Sequence, residues 1–227
     1  MDGATLIVLA AGSGTRLGLE IPKAFVPLSG RPMLAHAVAS ALECRAIASL
    51  VVAVPAGWEG RAREIVGPLH ARAVVAGGPT RQASVRAALA AVEPEAEVIV
   101  CHDAARPLAG SVLFFGVLGA LEDWDGVVPV LGVTDTVKRV NGERVEGTEA
   151  RGGLAFAQTP QAFRAGALRD AHARAQREGD AVTDDAEAVE RAGYRVRAIG
   201  GEPGNFKITT PEDLARAEAA VSELARG

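Results

Sequence analysis

Lysine is nearly missing from this chain. Of its 24 basic residues only Lys23, Lys138 and Lys207 are lysines, and the rest are arginine. A lysine kept in such a background points to a place where a compact ammonium is needed and a planar guanidinium will not serve. Cysteine is scarcer still: Cys44 and Cys101 have no metal-like spacing, lie in apolar surroundings, and read as buried thiols of a reducing compartment. No apolar run approaches the length of a membrane span, and the chain enters a strand at once, so a soluble cytoplasmic protein without a leader is expected. Basic blocks and aromatic–basic interleaving are absent and the formal net charge is −4, which argues against nucleic acid as a partner. Two familiar phosphate loops are missing as well. No Gly-Lys pair occurs, which excludes a Walker loop, and a G-x-G-x-x-G count from Gly12 reaches Leu17, with Gly18 one residue late.

What is present is a buried strand that feeds a glycine-rich loop. Leu6 to Lys23 reads LIVLAAGSGTRLGLEIPK, with Gly12, Gly14 and Gly18 around Arg16 and Pro22-Lys23 closing the segment. Glycines let a loop bring backbone N–H groups against phosphate, and Arg16 and Lys23 place two cations beside whatever the loop holds. A polyphosphate is the expected ligand.

With 227 residues, 48% of them hydrophobic and 23% charged, the chain can build one sizeable core. Apolar runs recur at Leu6–Ala10, Leu50–Val54, Ala73–Val75, Val98–Cys101, Val127–Val130 and Tyr194–Ile199. Helical spacing fills the gaps over Met33–Leu42, Glu59–Leu69, Gln82–Val92, Ser111–Leu121, Ala162–Arg177 and Asp184–Arg191. A last helix over Pro211–Leu224 opens on T-P-E-D, with Thr210 as its N-cap. This alternation predicts an α/β fold: a single doubly wound, mostly parallel sheet of the Rossmann-like kind. The polar stretch Thr134–Thr148 breaks the alternation, and its Val140-Asn141-Gly142-Glu143 predicts a protruding β-hairpin, an arm over 132–151 of the kind that rests on something else, often a second subunit. No repeat, linker or second-domain boundary is visible, so residues 1–227 read as one domain.

In open parallel sheets ligands bind beyond the carboxyl ends of the strands. Four charged or glycine-rich segments fall there: the first loop, Gly77–Ser84, His102–Pro107 and Asn205–Thr209. Each has an innocent reading as a turn, a local ion pair or a solvated lysine. Their collection on one rim is what points to a site.

These segments carry a resemblance. A-A-G-S-G-T-R followed by P-K, then G-G-x-x-R-Q-x-S-V, H-D-A-A-R-P, D-T-V-K, T-P-Q, V-T-D-D-A and N-x-K-I-T are together similar to the 2-C-methyl-D-erythritol 4-phosphate cytidylyltransferases of the non-mevalonate isoprenoid pathway. The likeness runs from Leu6 to about Leu214. It implies that CTP and methylerythritol phosphate give the CDP-alcohol and pyrophosphate, with Mg²⁺. By the same resemblance Arg16, Lys23 and Lys207 are catalytic, Lys23 nearest the bond that breaks and Lys207 at the α-phosphate. Ala10, Ala11, Gly12, Gly14, Gly78 and Ser84 would line the nucleotide, with Asp103 and Arg106 facing ribose and metal and Asp103 as the metal ligand. Thr136, Arg151, Thr159 and Thr183 would meet the polyol phosphate, Arg151 reaching across from the neighbouring subunit of a homodimer. Pro79 departs from the pattern, since some relatives carry an acid there.

Other residues have quieter expectations. His36, His70 and His172 read as partly exposed, His102 as structural, and Trp58, Trp124 and Phe206 as packing anchors; Lys138 balances charge along the arm. Three rivals stay in view: a ribitol 5-phosphate enzyme, which would differ over Thr134–Thr159 and Thr183, a nucleotide-binding regulatory module, and a nicotinamide oxidoreductase. The last is weakened because no acid ends the second strand at Val54-Pro55.

Overall fold

The computed structural model of the chain describes residues 3–67 and 71–224. It opens on β1 (Ala4–Leu9), buried along its whole length. A loop with two 3₁₀ turns leads to the short ribbon of β2 (Pro27–Leu28) and β3 (Arg31–Pro32), and then to α1 (Met33–Leu42). Two βα units follow: β4 (Ile47–Val54) with α2 (Glu59–Val66), and β5 (Ala73–Ala76) with α3 (Arg81–Leu89). After them come β6 (Val98–Asp103), α4 (Ser111–Gly119) and β7 (Gly126–Gly132). The hairpin is β8 (Lys138–Asn141) and β9 (Arg144–Thr148), followed by β10 (Ala155–Ala157), β11 (Gln161–Arg164) and α5 (Ala165–Glu178). The chain finishes with α6 (Asp185–Arg191), β12 (Val196–Gly200) and α7 (Pro211–Leu224).

Eight strands form the main sheet in the order β10-β7-β11-β6-β1-β4-β5, with β12 also paired to β7. β5, β4, β1 and β6 are parallel, β11 runs antiparallel between β6 and β7, and β12 is parallel to β7. Alternation along β1 divides the interior in two. Leu6 and Val8 point to one core with Leu34 and Val38 of α1, Ala62 of α2 and Phe114 of α4. Ile7 and Leu9 point to the other, with Val85 of α3, Leu168 of α5 and Val189 of α6. The sheet is thus covered on both faces, as the alternation of runs required.

A third, smaller core holds the first loop in place. Leu17 is buried with Val26, Leu28, Met33, Ile208 and Ala217, so the glycine-rich loop, the β2–β3 ribbon and α7 share one apolar contact. Ser29, at φ 49°, donates through its backbone N–H and its hydroxyl to the Glu218 carboxylate of α7. The capping box of α7 is as expected: Thr210 Oγ1 accepts the Asp213 N–H, and Asp213 accepts the N–H groups of Thr209 and Thr210.

The hairpin stands apart as a two-stranded ribbon, turned by Gly142 at φ 56° between the paired Asn141 and Arg144. One expectation needs correction. The helix drawn over Ala162–Arg177 begins only at Ala165, because Ala162 and Phe163 are fully buried in β11 between two strands. Short alanine-containing segments carry too little pattern to separate a buried strand from a helix start. The helix expected to reach Leu69 is seen to Val66, and Leu69 and His70 lie outside the described residues. His172 is buried rather than partly exposed. Cys44 and Cys101 are both buried and free.

Candidate active site

The carboxyl ends of the parallel strands open into a cleft of about 470 Å³. Backbone bonds crossing between strand ends set its floor: Ala10 N–H to Ala53 C=O, Ala104 N–H to Leu9 C=O, and Gly77 N–H to Val54 C=O. One wall is the first loop. Gly14 sits at φ 74°, and a Cβ there would lie 3.0 Å from Lys23 N, so the loop closes on Lys23, whose N–H donates to Gly12 C=O. The opposite wall is the Gly77–Ser84 turn. A Cβ at Gly77 would lie 2.5 Å from Ala11 Cβ, and one at Gly78 would lie 2.4 Å from Ala83 Cβ, so both glycines are required by close approach. Ser84 Oγ accepts the Gly78 N–H and donates to Thr80 C=O, which fixes the turn as Thr80 caps α3.

Three cations converge here beside Arg81, which also lines the cleft and is paired to Asp103. Arg16 is exposed on the 3₁₀ turn whose other side Leu17 anchors, Lys23 is half-buried, and Lys207 enters from the loop after β12. Burial, then the nearby charges of Lys207 and Arg16, pull Lys23 down to about 8. A cluster of like charge held partly out of water is built for a polyanion. Asp103, at the end of β6, is the one carboxylate among the residues lining the cleft. Its Oδ1 accepts from Arg81 Nε at 3.1 Å and its Oδ2 from Lys207 Nζ at 2.7 Å. Burial alone would raise its pKa, but Arg81 and Lys207 outweigh that and hold it well below the usual carboxylate range.

Behind this rim lies a polar lattice. Thr159 Oγ1 accepts the Asp103 N–H at 3.0 Å and bonds His102 Nδ1 at 3.1 Å. Because His102 Nε2 faces the Arg106 carbonyl, which only accepts, Nε2 carries the proton and Nδ1 receives the Thr159 hydroxyl hydrogen. Burial pushes His102 down to about 4, so it is neutral and its ring nitrogens are both engaged inside the fold.

Ala10, Ala11, Gly12, Gly14, Gly78 and Ser84 all line the cleft, together with Arg16, Lys23, Asp103 and Lys207. The rest of the expected set does not join them within one chain. Arg106, expected at the ribose and metal, instead donates to the carbonyls of Asn205 and Ala157, bracing the segment before Lys207. Thr159 is buried, and its hydroxyl accepts the Asp103 N–H and gives its hydrogen inward to His102. Thr183 donates to Glu187, and the cap of α6 is Asp184, whose carboxylate accepts the Glu187 N–H. Thr136 is exposed on the segment leading into the hairpin; Arg151 is exposed after it and donates to Thr134 C=O. Arg81 and Asp185 stand in the quoted motifs without a role of their own. Both belong to the charge network of the site.

Comparison with known proteins bears on this cleft. The family profile described as IspD, 2-C-methyl-D-erythritol 4-phosphate cytidylyltransferase, matches residues 4–223. The chain belongs to this family. Among curated members, the enzyme of Rhodococcus opacus is 48% identical over 219 residues, 96% of this chain and 94% of that protein. The Deinococcus radiodurans enzyme is 43% identical over 221 residues, 97% of this chain and 90% of its own. The crystal structure of the Thermus thermophilus cytidylyltransferase superposes with a TM-score of 0.81 at 37% identity, covering 97% of this chain and 99% of that one. A 4-diphosphocytidyl-2C-methyl-D-erythritol synthase from Anaerococcus prevotii gives a TM-score of 0.85 at 28% identity, again covering 97% and 99%. The cytidylyltransferase match therefore takes in every element from β1 to α7, the hairpin included.

Proposed function

We infer that the protein joins CTP to 2-C-methyl-D-erythritol 4-phosphate, forming 4-diphosphocytidyl-2-C-methyl-D-erythritol and pyrophosphate for isoprenoid synthesis. The observation that carries the mechanism is the meeting of Arg16, Lys23 and Lys207 in one cleft, opposite a wall whose glycines allow close backbone approach. A phosphate monoester has its second pKa near ~6, so the attacking phosphate is already a dianion at neutral pH and needs no base. This agrees with a cleft whose nearest histidine, His102, is neutral and sequestered. The phosphate oxygen forms its bond to the α-phosphorus as the bond to the bridging oxygen breaks in line, and pyrophosphate leaves with that electron pair. Catalysis is placement plus neutralisation of charge on the α-phosphoryl and leaving groups.

The roles follow from position. Arg16 and Lys23 hold the β- and γ-phosphates, and Lys207 takes charge accumulating on the α-phosphoryl. Removing any one of them is expected to slow turnover about 10²- to 10³-fold. Ala10, Ala11, Gly12, Gly14 and Gly78 hold the nucleoside through backbone groups, with Ser84 fixing the turn.

Mg²⁺ is proposed to arrive bound to CTP. The described residues contain no group of three or more His, Cys, Asp and Glu side chains placed to hold a metal, and both Asp103 oxygens already accept from cations. Asp103 therefore does not fit as a ready ligand. Mg²⁺ commonly keeps several waters and binds through substrate phosphates, so a cleft without a metal cage suits a metal carried by the nucleotide.

Chain 1–227 acts as one catalytic unit whose arm, 132–151, serves a second copy. Val140, Val145, Leu154 and Phe156 are exposed apolar residues on and beside the arm, the kind of surface a homodimer covers. Thr136 and Arg151 of one subunit then meet the polyol phosphate beside the other subunit's cleft, with Thr183 near it. No described helix is long and apolar enough to cross a membrane, and a cytoplasmic enzyme suits the two free thiols.

The test is pyrophosphate release from CTP and Mg²⁺ with methylerythritol phosphate, beside a ribitol 5-phosphate control and an EDTA control. Release with the first polyol only, abolished by EDTA and by Lys23→Ala, is the expected result. Release with ribitol phosphate alone would keep the mechanism and reassign the polyol. Release with neither would remove the enzyme reading.

A further inference from the structure

The carboxylate that holds Lys207 is itself held from inside the fold. Arg81 bridges two acids: its Nε donates to Asp103 Oδ1, and its Nη2 donates to Asp185 Oδ2 at 2.7 Å. The second oxygen of Asp185 accepts from His172 Nε2 at 2.9 Å. The result is an unbroken chain, Lys207–Asp103–Arg81–Asp185–His172, drawn from the loop after β12, the end of β6, the first turn of α3, the first turn of α6 and the middle of α5. Asp185 is fully buried and His172 is 1% exposed, whereas the other end of the chain opens into the cleft. The first turn of α6 is itself locked to β11. Gln161 Oε1 accepts the Ala186 N–H, and Gln161 Nε2 donates to Asp184.

Fold stability alone is a weak reason for such a chain. Buried ion pairs are often matched or bettered by apolar residues of the same volume, because desolvation offsets the Coulomb gain. What the chain does supply is position. Lys207 is a flexible side chain on a loop, and a cation serving a transferring phosphoryl group must sit within about 0.5 Å of its working place.

We propose that Asp185 is a positioning residue for cytidylyl transfer: through Arg81 and Asp103 it fixes the Lys207 ammonium at the reaction centre, with His172 steadying its far oxygen. This rests on the cytidylyltransferase reading above. Without the Asp185 charge, Arg81 has only Asp103 to bind, its fork is free to turn, and Asp103 moves together with the ammonium it carries. A displacement of about 1 Å at a reacting centre costs on the order of 10²-fold in rate.

Steady-state kinetics with CTP and methylerythritol phosphate test this in two backgrounds. In the parent enzyme, Asp185→Asn is expected to lower kcat about 10- to 100-fold while KM for CTP stays within about threefold, because the backbone of both nucleoside walls is unchanged. Asp185→Glu, which restores the charge, should recover much of the loss. In a Lys207→Ala background the same Asn change should cost less than about threefold, since the group it positions is gone. If Asp185→Asn leaves kcat within about twofold, or cuts it equally in both backgrounds, the proposal is overturned. Should that variant fail to fold, His172→Ala is read the same way, with a smaller loss expected in the parent and none with Lys207→Ala. A parent enzyme that releases no pyrophosphate would instead count against the functional reading.

Discussion

At the scale of single residues, the near absence of lysine acquires a physical meaning in Lys23. Its pKa of about 8 lies below the ordinary ~10.4, so between those values the unfolded chain holds a proton that the folded one has released. Stability therefore rises with pH across that window, and at neutral pH the cleft carries this charge at some cost to the fold. CTP reverses the balance, because a polyphosphate beside Lys23 draws the proton back. Binding measured calorimetrically in buffers of different ionisation heat should show almost no proton uptake at pH 7. Near pH 9 the uptake should approach one, and apparent affinity should fall as pH passes 8. Lys23→Arg should abolish the uptake, since a guanidinium stays charged throughout. Lys207 has a different setting, paired to Asp103 at 2.7 Å, and Lys138 donates to Thr148 across the exposed hairpin, where it braces the ribbon.

Among the elements, the small core under the first loop is the part whose loss would spread furthest. Leu17→Ala removes the anchor of the 3₁₀ turn that bears Arg16 and opens a gap against Ile208, the neighbour of Lys207. We expect a loss of about 2–3 kcal/mol in stability, near the low end for a buried leucine because the cluster lies at an edge and can partly collapse. In kinetics, kcat/KM for CTP should fall about tenfold, since both cation-bearing segments loosen together. Thermal melts and initial rates on the same preparation would separate the two effects. How far elements could be read in the sequence depended on local signals. The T-P-E-D cap located α7 and the Asn-Gly pair located the hairpin, because capping and turn chemistry are local. β10 and β11 were missed, being three and four residues long and defined by strands on either side. The cation cluster was legible because each member follows a strand end. Arg81 joining Asp103 to Asp185, 22 and 104 positions away, was not, since no local rule pairs residues at such distances. The partners of Arg106 and Thr159, Asn205 and His102, were hidden for the same reason, being tertiary neighbours.

For the whole molecule, the decisive question is whether a cleft is completed by another copy's arm. Arg151 and Thr136 lie off the cleft of their own chain, on segments beside an almost wholly exposed hairpin. Lys23→Ala and Arg151→Ala should each lose about 10²-fold or more when pure, given that either removes a cation from a charged transition state. If Arg151 acts across a dimer, dissociating and remixing the two variants should restore about a quarter of parental activity, because half of the dimers then hold one complete cleft. If Arg151 serves its own chain, remixing would restore nothing.

The shared apolar socket of Leu17, Ile208 and Ala217 also orders events during synthesis. The glycine-rich loop leaves the ribosome with Val26, Leu28 and Met33 close behind it, yet Ile208 and Ala217, which complete its seat, are made much later. At about 5–20 residues per second that interval is on the order of 10–40 seconds. Through that time the loop lacks the Ile208–Ala217 side of its floor and the Glu218 brace beneath Ser29. α7 is thus the latch of the first loop: until it is made, that loop lacks part of its seat.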